Sequence, residues 1–346
     1  MEVRLADLLA GLSRLADLGF GLPAGEALRS CALATRLARA LDLPDDDVRA
    51  TFYTALLHHV GCTGYAHETA RVFGDELVLN LAAGRQDAAD PRDLFRTFLP
   101  LLTRGRPAIE RARLALATVT RGGRFAKGFT TAACEVGREA ARRLGLPEAV
   151  QRSVYHVYED WRGGGFPSGL AGDDLPAGSR LARLTGIAVL FDTLGGVELA
   201  VDAVRRRGGG MLDPELAGRF ADRAGVLLGE VNAGDPRALV LEAEPRPVVS
   251  VPDRVLAEVA RVFADLADLK TPFTHGHSRG VAALAAGAGE RLAVLVTGAR
   301  DSLALSRGWG RRNAEAESEH DDEHDGPRRC RRVRGVDVRP SCRHSA

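Results

Sequence analysis

The sequence has only two lysines, Lys127 and Lys270, and no CxxC pair. Its five cysteines, Cys31, Cys62, Cys134, Cys330 and Cys342, are odd in number and far apart. That excludes a small disulfide scaffold and fits free thiols in a reducing cytoplasm. The formal net charge of +1 leaves no global field to draw the chain to nucleic acid or a membrane surface. No uninterrupted apolar run approaches the ~18 residues of a membrane span, and the start, Met1-Glu-Val-Arg-Leu5, carries two charges and no leader-like apolar core. The expectation is therefore a cytoplasmic protein with no membrane segment. Convincing strands are missing too. Runs such as Leu239-Val-Leu241 are too short to build a sheet, so the class is all-α.

What is present is helical periodicity. The 346 residues are about two domains' worth of chain. Apolar spacing of three and four predicts helices over 5–18 and 26–41, where Leu28, Ala32, Leu33, Leu37 and Leu41 share a face. Further helices are expected over 48–58, 66–81 (as one or two), 95–102 and 109–119, with a break at Arg121-Gly-Gly-Arg124. Helix resumes over 130–144, 148–158, 179–194 and 197–206, and Asp213-Pro214 offers an N-cap with proline at N1. Residues 237–252, with Pro245, Pro247 and Pro252, read as a linker. Residues 255–288 read as helix, interrupted near Thr271-Pro272.

The chain is organised around Thr54-Ala-Leu-Leu-His-His-Val-Gly-Cys-Thr63. Adjacent histidines on a helix point about 100° apart. His58 and His59 converge on one metal only if the helix frays there, which Gly61 permits. The plainer reading is a helix C-terminus, where an imidazolium meets the negative end of the dipole. A second cluster follows another histidine-ended helix: His156, Glu159, then Trp161-Arg-Gly-Gly-Gly-Phe-Pro-Ser-Gly-Leu170. The preferred reading of that loop is a structural clamp made by Trp161, Phe166 and Pro167. The alternative is a phosphate or nucleotide cradle built from Arg162 and the backbone of Gly163, Gly164 and Gly165.

Three stretches together resemble the HD-GYP branch of the HD-type metal-dependent phosphohydrolases. Leu56-Leu-His-His-Val-Gly61 stands where the family has His-Asp, Gly165-Phe-Pro167 stands at the Gly-Tyr-Pro position, and Asp268-Leu-Lys-Thr-Pro-Phe-Thr-His-Gly-His-Ser278 looks like the entry of a second HD unit opened by His277. The resemblance implies an HD-domain helical bundle. Its members bind one, two or three metal ions, and many cleave cyclic di-GMP. It also implies a tandem layout of the kind found in actinobacterial regulators: 1–245 as a first, degenerate unit, 253–290 as a truncated second unit, and 291–346 as a disordered tail that reads as a frameshift or truncation product. Within that tail, His320, Asp321, Asp322, Glu323 and His324 read as solvated acid rather than a metal site.

Laid on the family pattern, the expected ligand positions hold Arg29, His59, Val157, Tyr158, Arg162 and Gly186. Only His58 survives plainly. The expected function is a catalytically impaired regulatory or dimerisation module that self-associates and takes a cyclic dinucleotide or phosphate ligand. The alternative is an active phosphodiesterase that binds iron, manganese or zinc through His58, His59, His156 and perhaps Glu159.

Overall fold

The computed structural model describes residues 3–291, with side chains to 289. The expectations for the tail, its acidic cluster and the truncated frame lie outside the described residues. The helices in chain order are α1 (Leu5–Phe20), α2 (Glu26–Ala40), α3 (Asp45–Leu57), α4 (Ala66–Phe73), α5 (Glu76–Arg85), α6 (Leu99–Leu102) and α7 (Ala108–Arg143). They continue as α8 (Glu148–Tyr155), α9 (Ala177–Arg207), α10 (Pro214–Ala221), α11 (Ala224–Ala233), α12 (Pro236–Ala243), α13 (Asp253–Asp268) and α14 (His277–Arg291). The fold is an all-α bundle. Its only sheet among the described residues is a two-residue antiparallel pair, β1 (Val3–Arg4) on β2 (Ser250–Val251).

The centre is α2, α3 and α9. Each buries nearly a full face: Leu28, Leu33 and Leu37 from α2, Phe52, Leu56 and Leu57 from α3, and Leu181, Leu184 and Ala188 from α9. Close approach is possible because small residues sit at the crossings. A Cβ on Gly178 of α9 would stand 3.1 Å from the Ala50 carbonyl carbon of α3, and at the neighbouring α7–α8 crossing one on Gly137 would stand 2.7 Å from Val154 Cγ1. By length and composition α9 is apolar enough to cross a membrane, but half of that stretch is buried inside the protein, and Gly195 and Gly196 leave helical geometry within it. The two expected helices over 179–206 are these two segments.

Two expectations are corrected. No break occurs at Arg121-Gly-Gly-Arg124: α7 runs unbroken for 36 residues, because Leu114, Thr118, Ala133 and Cys134 anchor it on both sides of the glycine pair. The linker over 237–252 also contains α12, which Asp235 caps by accepting from the Ala238 amide at 2.8 Å, with Pro236 in the first turn. Asp213 caps α10 as expected, accepting from the Glu215 and Leu216 amides.

α13 shares the main core. Val259, Val262 and Leu266 are buried with Leu5 and Leu9 of α1. Arg143 at the end of α7 reaches both Glu258 and Asp265 of α13 at 2.7 Å.

Candidate functional site

α3 ends at Leu57, and His58 already occupies the C-cap. The chain then turns through Gly61 into a short 3₁₀ segment, Cys62–Tyr65. That fraying changes the angle between the two imidazoles. Their rings stack at 4.5 Å with 20° between planes, and Phe20 continues the stack on His59 at 5.3 Å. Tyr158 lies 5.2 Å from His58 on the other side.

His59 is held by Asp17, Nδ1 to Oδ1 at 3.3 Å. Asp17 is itself fully buried and accepts from the Gly25 and Ala27 amides, both at 3.1 Å, tying α1 to the start of α2. Glu26, in that first turn, is the α2 side chain that faces the histidines. Burial pushes its carboxyl up to about 7, with His59 pulling it down and Asp17 pushing it up. Its Oε2 has no partner, and neither has Nε2 of His58. Burial holds the His58 imidazole well below its usual range, and His59 and Arg183 lower it further.

α9 contributes Gly186 and Arg183. A Cβ on Gly186 would meet His58 Cε1 at 3.3 Å, so this position faces the histidine directly. The Arg183 guanidinium lies 4.9 Å over the Tyr158 ring. Asp160 completes this end. Burial pushes it up to about 6, opposed by Arg183. These groups line one end of a cavity of about 540 Å³, which then runs between α5 and α7.

The glycine loop packs hard on its own stem. A Cβ on Gly165 would fall 2.3 Å from the Asp160 amide nitrogen, and Gly163 adopts φ +82°. The buried Glu159 carboxylate accepts from the Ser168 amide at 2.6 Å and the Gly169 amide at 3.0 Å, closing the loop. His156 Nδ1 lies 3.5 Å from Glu159 Oε1. Gly164 and Gly165 line the cavity. Arg162 turns away, donating to the Gly209 carbonyl at 3.2 Å while its amide donates to Gly210.

The sequence-derived site residues therefore fall into separate places. His58 and His59 meet at the cavity end, and His156 pairs with Glu159 under the loop. His277, exposed at the start of α14, does not line the cavity. Among the described residues no three His, Cys, Asp or Glu side chains gather in a metal-holding cluster. Arg29 points outward to Asn232 and Thr193, and Ser30 packs inward on the Thr185 carbonyl. Val157 is buried in the core, and Tyr158 contacts Cys62 Sγ at 3.1 Å. Glu26, Asp160 and Arg183 also line this end, and no motif marks them as site residues in the sequence. The one available signal was that Glu26 lies three residues before Arg29, on the neighbouring turn of the same helix.

Comparison with known proteins gives the frame for this geometry. Residues 124–205 match the HD domain family. A 3'3'-cGAMP-specific phosphodiesterase of Vibrio cholerae is 23% identical over 282 residues, 80% of this chain and 61% of that relative. The chain thus spans about three fifths of the relative's length. The crystal structure of a cyclic GMP-AMP specific phosphodiesterase from V. cholerae superposes with a TM-score of 0.66 at 23% identity, over 89% of this chain and 69% of that one.

Proposed function

The chain carries the HD-type phosphohydrolase fold, and from that premise we propose that it is a non-catalytic signalling module of the HD-GYP kind, binding a cyclic dinucleotide or a related phosphate ester without a metal centre. The observation that carries this reading is the donor set at the cavity end. Two divalent ions side by side need several anionic ligands to offset their repulsion. Here His59 is engaged by Asp17, the position at Gly186 has no side chain, and the neighbouring cation is Arg183. The residues present do not fit a two-metal centre, and no hydrolytic step is drawn through one.

In this reading Arg183 supplies the positive charge for a phosphate, and the backbone of Gly164 and Gly165 forms the adjoining wall. Arg162 and Gly163 hold the loop's shape from outside. The neutral His58 imidazole offers a hydrogen-bonding edge rather than a second charge. Residues 253–290 belong to this proposal as the opening of a second HD-type unit whose first helix, α13, is packed into the core of the first, with His277 at its ligand-bearing helix. So do self-association and a cytoplasmic location.

One observation favours the catalytic alternative: Glu26 Oε2 and His58 Nε2 are buried donor atoms without partners, as a single metal ion would leave them. Calorimetric titration with 3'3'-cGAMP and with cyclic di-GMP, with and without manganese, decides between the two. The proposal expects metal-independent binding, weakened about tenfold in Arg183→Gln, with no product by chromatography. Metal-dependent turnover that disappears in His58→Ala would overturn it in favour of an active phosphodiesterase.

A further inference from the structure

The cavity is chemically two-ended. Seven of the chain's twelve phenylalanines line it, Phe73, Phe98, Phe125 and Phe129 among them. Three polar side chains along this aromatic part, Asn80, Thr118 and Thr130, are already engaged with backbone carbonyls. Asn80 donates to the Phe20 carbonyl at 3.2 Å, Thr118 to the Leu114 carbonyl at 2.8 Å, and Thr130 to the Ala126 carbonyl at 2.7 Å. The unpartnered buried atoms sit at the opposite end: Glu26 Oε2, His58 Nε2 and Arg183 Nε. Glu26 is 3% exposed and His58 8% exposed.

A cyclic dinucleotide is polar around its whole perimeter. A nucleobase placed among the phenylalanines would bury hydrogen-bonding edges against walls whose donors point elsewhere, which is costly. An aliphatic chain loses nothing there and gains from leaving water. The volume, about 540 Å³, lies within the roughly 300–1,000 Å³ range of small-ligand sites. We infer that the aromatic part of this cavity holds the aliphatic chain of a single-tailed amphiphile, whose anionic head meets Arg183 beside His58 and Glu26. The inference goes beyond the preceding reading, which concerns the motif end alone.

The tail geometry makes a quantitative demand. Burial of each added methylene raises affinity about fourfold, so dodecyl phosphate should bind delipidated protein at least tenfold tighter than decyl phosphate. Ala126, an exposed residue of the cavity wall, tolerates a larger side chain without disturbing the core. Ala126→Trp should reduce affinity for both alkyl phosphates at least tenfold while leaving the thermal melt unchanged. Arg183→Gln should weaken both, with the chain-length ratio preserved. Equal affinity for the two chain lengths, or an Ala126→Trp variant that melts normally and binds like wild type, overturns the inference. Competition by 3'3'-cGAMP separates it from the reading above. Alkyl phosphate binding with no cGAMP binding sinks the dinucleotide reading and keeps this one; cGAMP binding with no alkyl phosphate binding does the reverse.

Discussion

Gly61 lies against the backbone of Ala133, so closely that a Cβ on the glycine would stand 2.1 Å from the Ala133 carbonyl oxygen. The turn after the histidine pair is thus pressed onto the middle of α7, and no side-chain rearrangement relieves such a contact because the obstacle is backbone. Gly61→Ala should destabilise the protein by about 3 kcal/mol, at the upper end of overpacking costs, and should separate α3 from α7. Thermal denaturation checks the first effect. A Gly61→Ala protein as stable as wild type would show that the turn has room this packing denies.

A second expectation concerns pH. The Glu26 carboxyl titrates near 7 in the folded protein and near 4.5 when exposed, mainly because burial penalises its charge. A raised carboxyl contributes most stability below pH 4.5 and loses it as pH rises through 7, by up to roughly 3 kcal/mol at the far side. Glu26→Gln removes that loss. Between pH 5 and 8 the variant's stability should fall less steeply than wild type, so that the two curves diverge toward high pH in chemical denaturation. Parallel curves would mean that Glu26 is not what titrates.

The glycine loop supports a third. Gly165 packs so closely on its stem that an added Cβ would fall 2.3 Å from the Asp160 amide nitrogen and 2.5 Å from Glu159 Cα. Gly165→Ala must lift the loop off its stem and weaken the grip of Glu159 on the Ser168 and Gly169 amides. The expected result is protease sensitivity confined to residues 160–172, with the helical core intact by circular dichroism. Global unfolding instead would place the loop among the determinants of the whole fold.

How much of this was readable beforehand follows from the physics of each element. Helices with a single apolar stripe, such as α2, announce themselves by spacing, and Asp213-Pro214 announces a cap locally. The continuity of α7 through Gly122 and Gly123 was not readable, because tertiary contacts at Leu114, Thr118, Ala133 and Cys134 override the local cost of two glycines. At the site, the histidine pair and the glycine loop stood out by composition. Arg183 did not, since nothing local separates it from Arg180, which instead pairs with Asp213 at 2.9 Å. Arg162 and Arg183 differ only in where the chain aims them. A one-position shift along α2 likewise decides whether a side chain faces Asn232, as Arg29 does, or the core, as Ser30 does.

The segment after residue 252 gives a fourth. Leu266 is 7% exposed in a core shared with α1 and α3. Leu266→Ala should cost about 2–3 kcal/mol, within the range for buried leucines. Truncation before Asp253 removes Val259, Val262 and Leu266 together and uncovers the apolar side chains beneath them. It should yield aggregated or loosened protein rather than a stable bundle. A soluble, monomeric, cooperatively melting truncation product would show that α13 is an accessory to that core.

The last prediction is chemical. If the donor set at the cavity end lacks what a two-metal centre requires, restoring a single family residue is not enough. His59→Asp puts a carboxylate at the motif's second position, but it also places it beside Asp17, which now holds that ring, and within electrostatic reach of Glu26. Three acids in one buried site repel one another unless a cation joins them. His59→Asp should therefore be less stable than wild type at neutral pH and recover on adding manganese or iron, because a metal that binds only the folded state stabilises it by mass action. Hydrolysis of 3'3'-cGAMP should still be absent, since Gly186 brings no ligand from α9. The measurement is a melting curve with and without metal, paired with a product assay on the same sample. Metal stabilisation without turnover is the expected outcome. Turnover in His59→Asp would show that one substitution separates this chain from catalysis, and the ligand-binding reading would then describe only a recent loss.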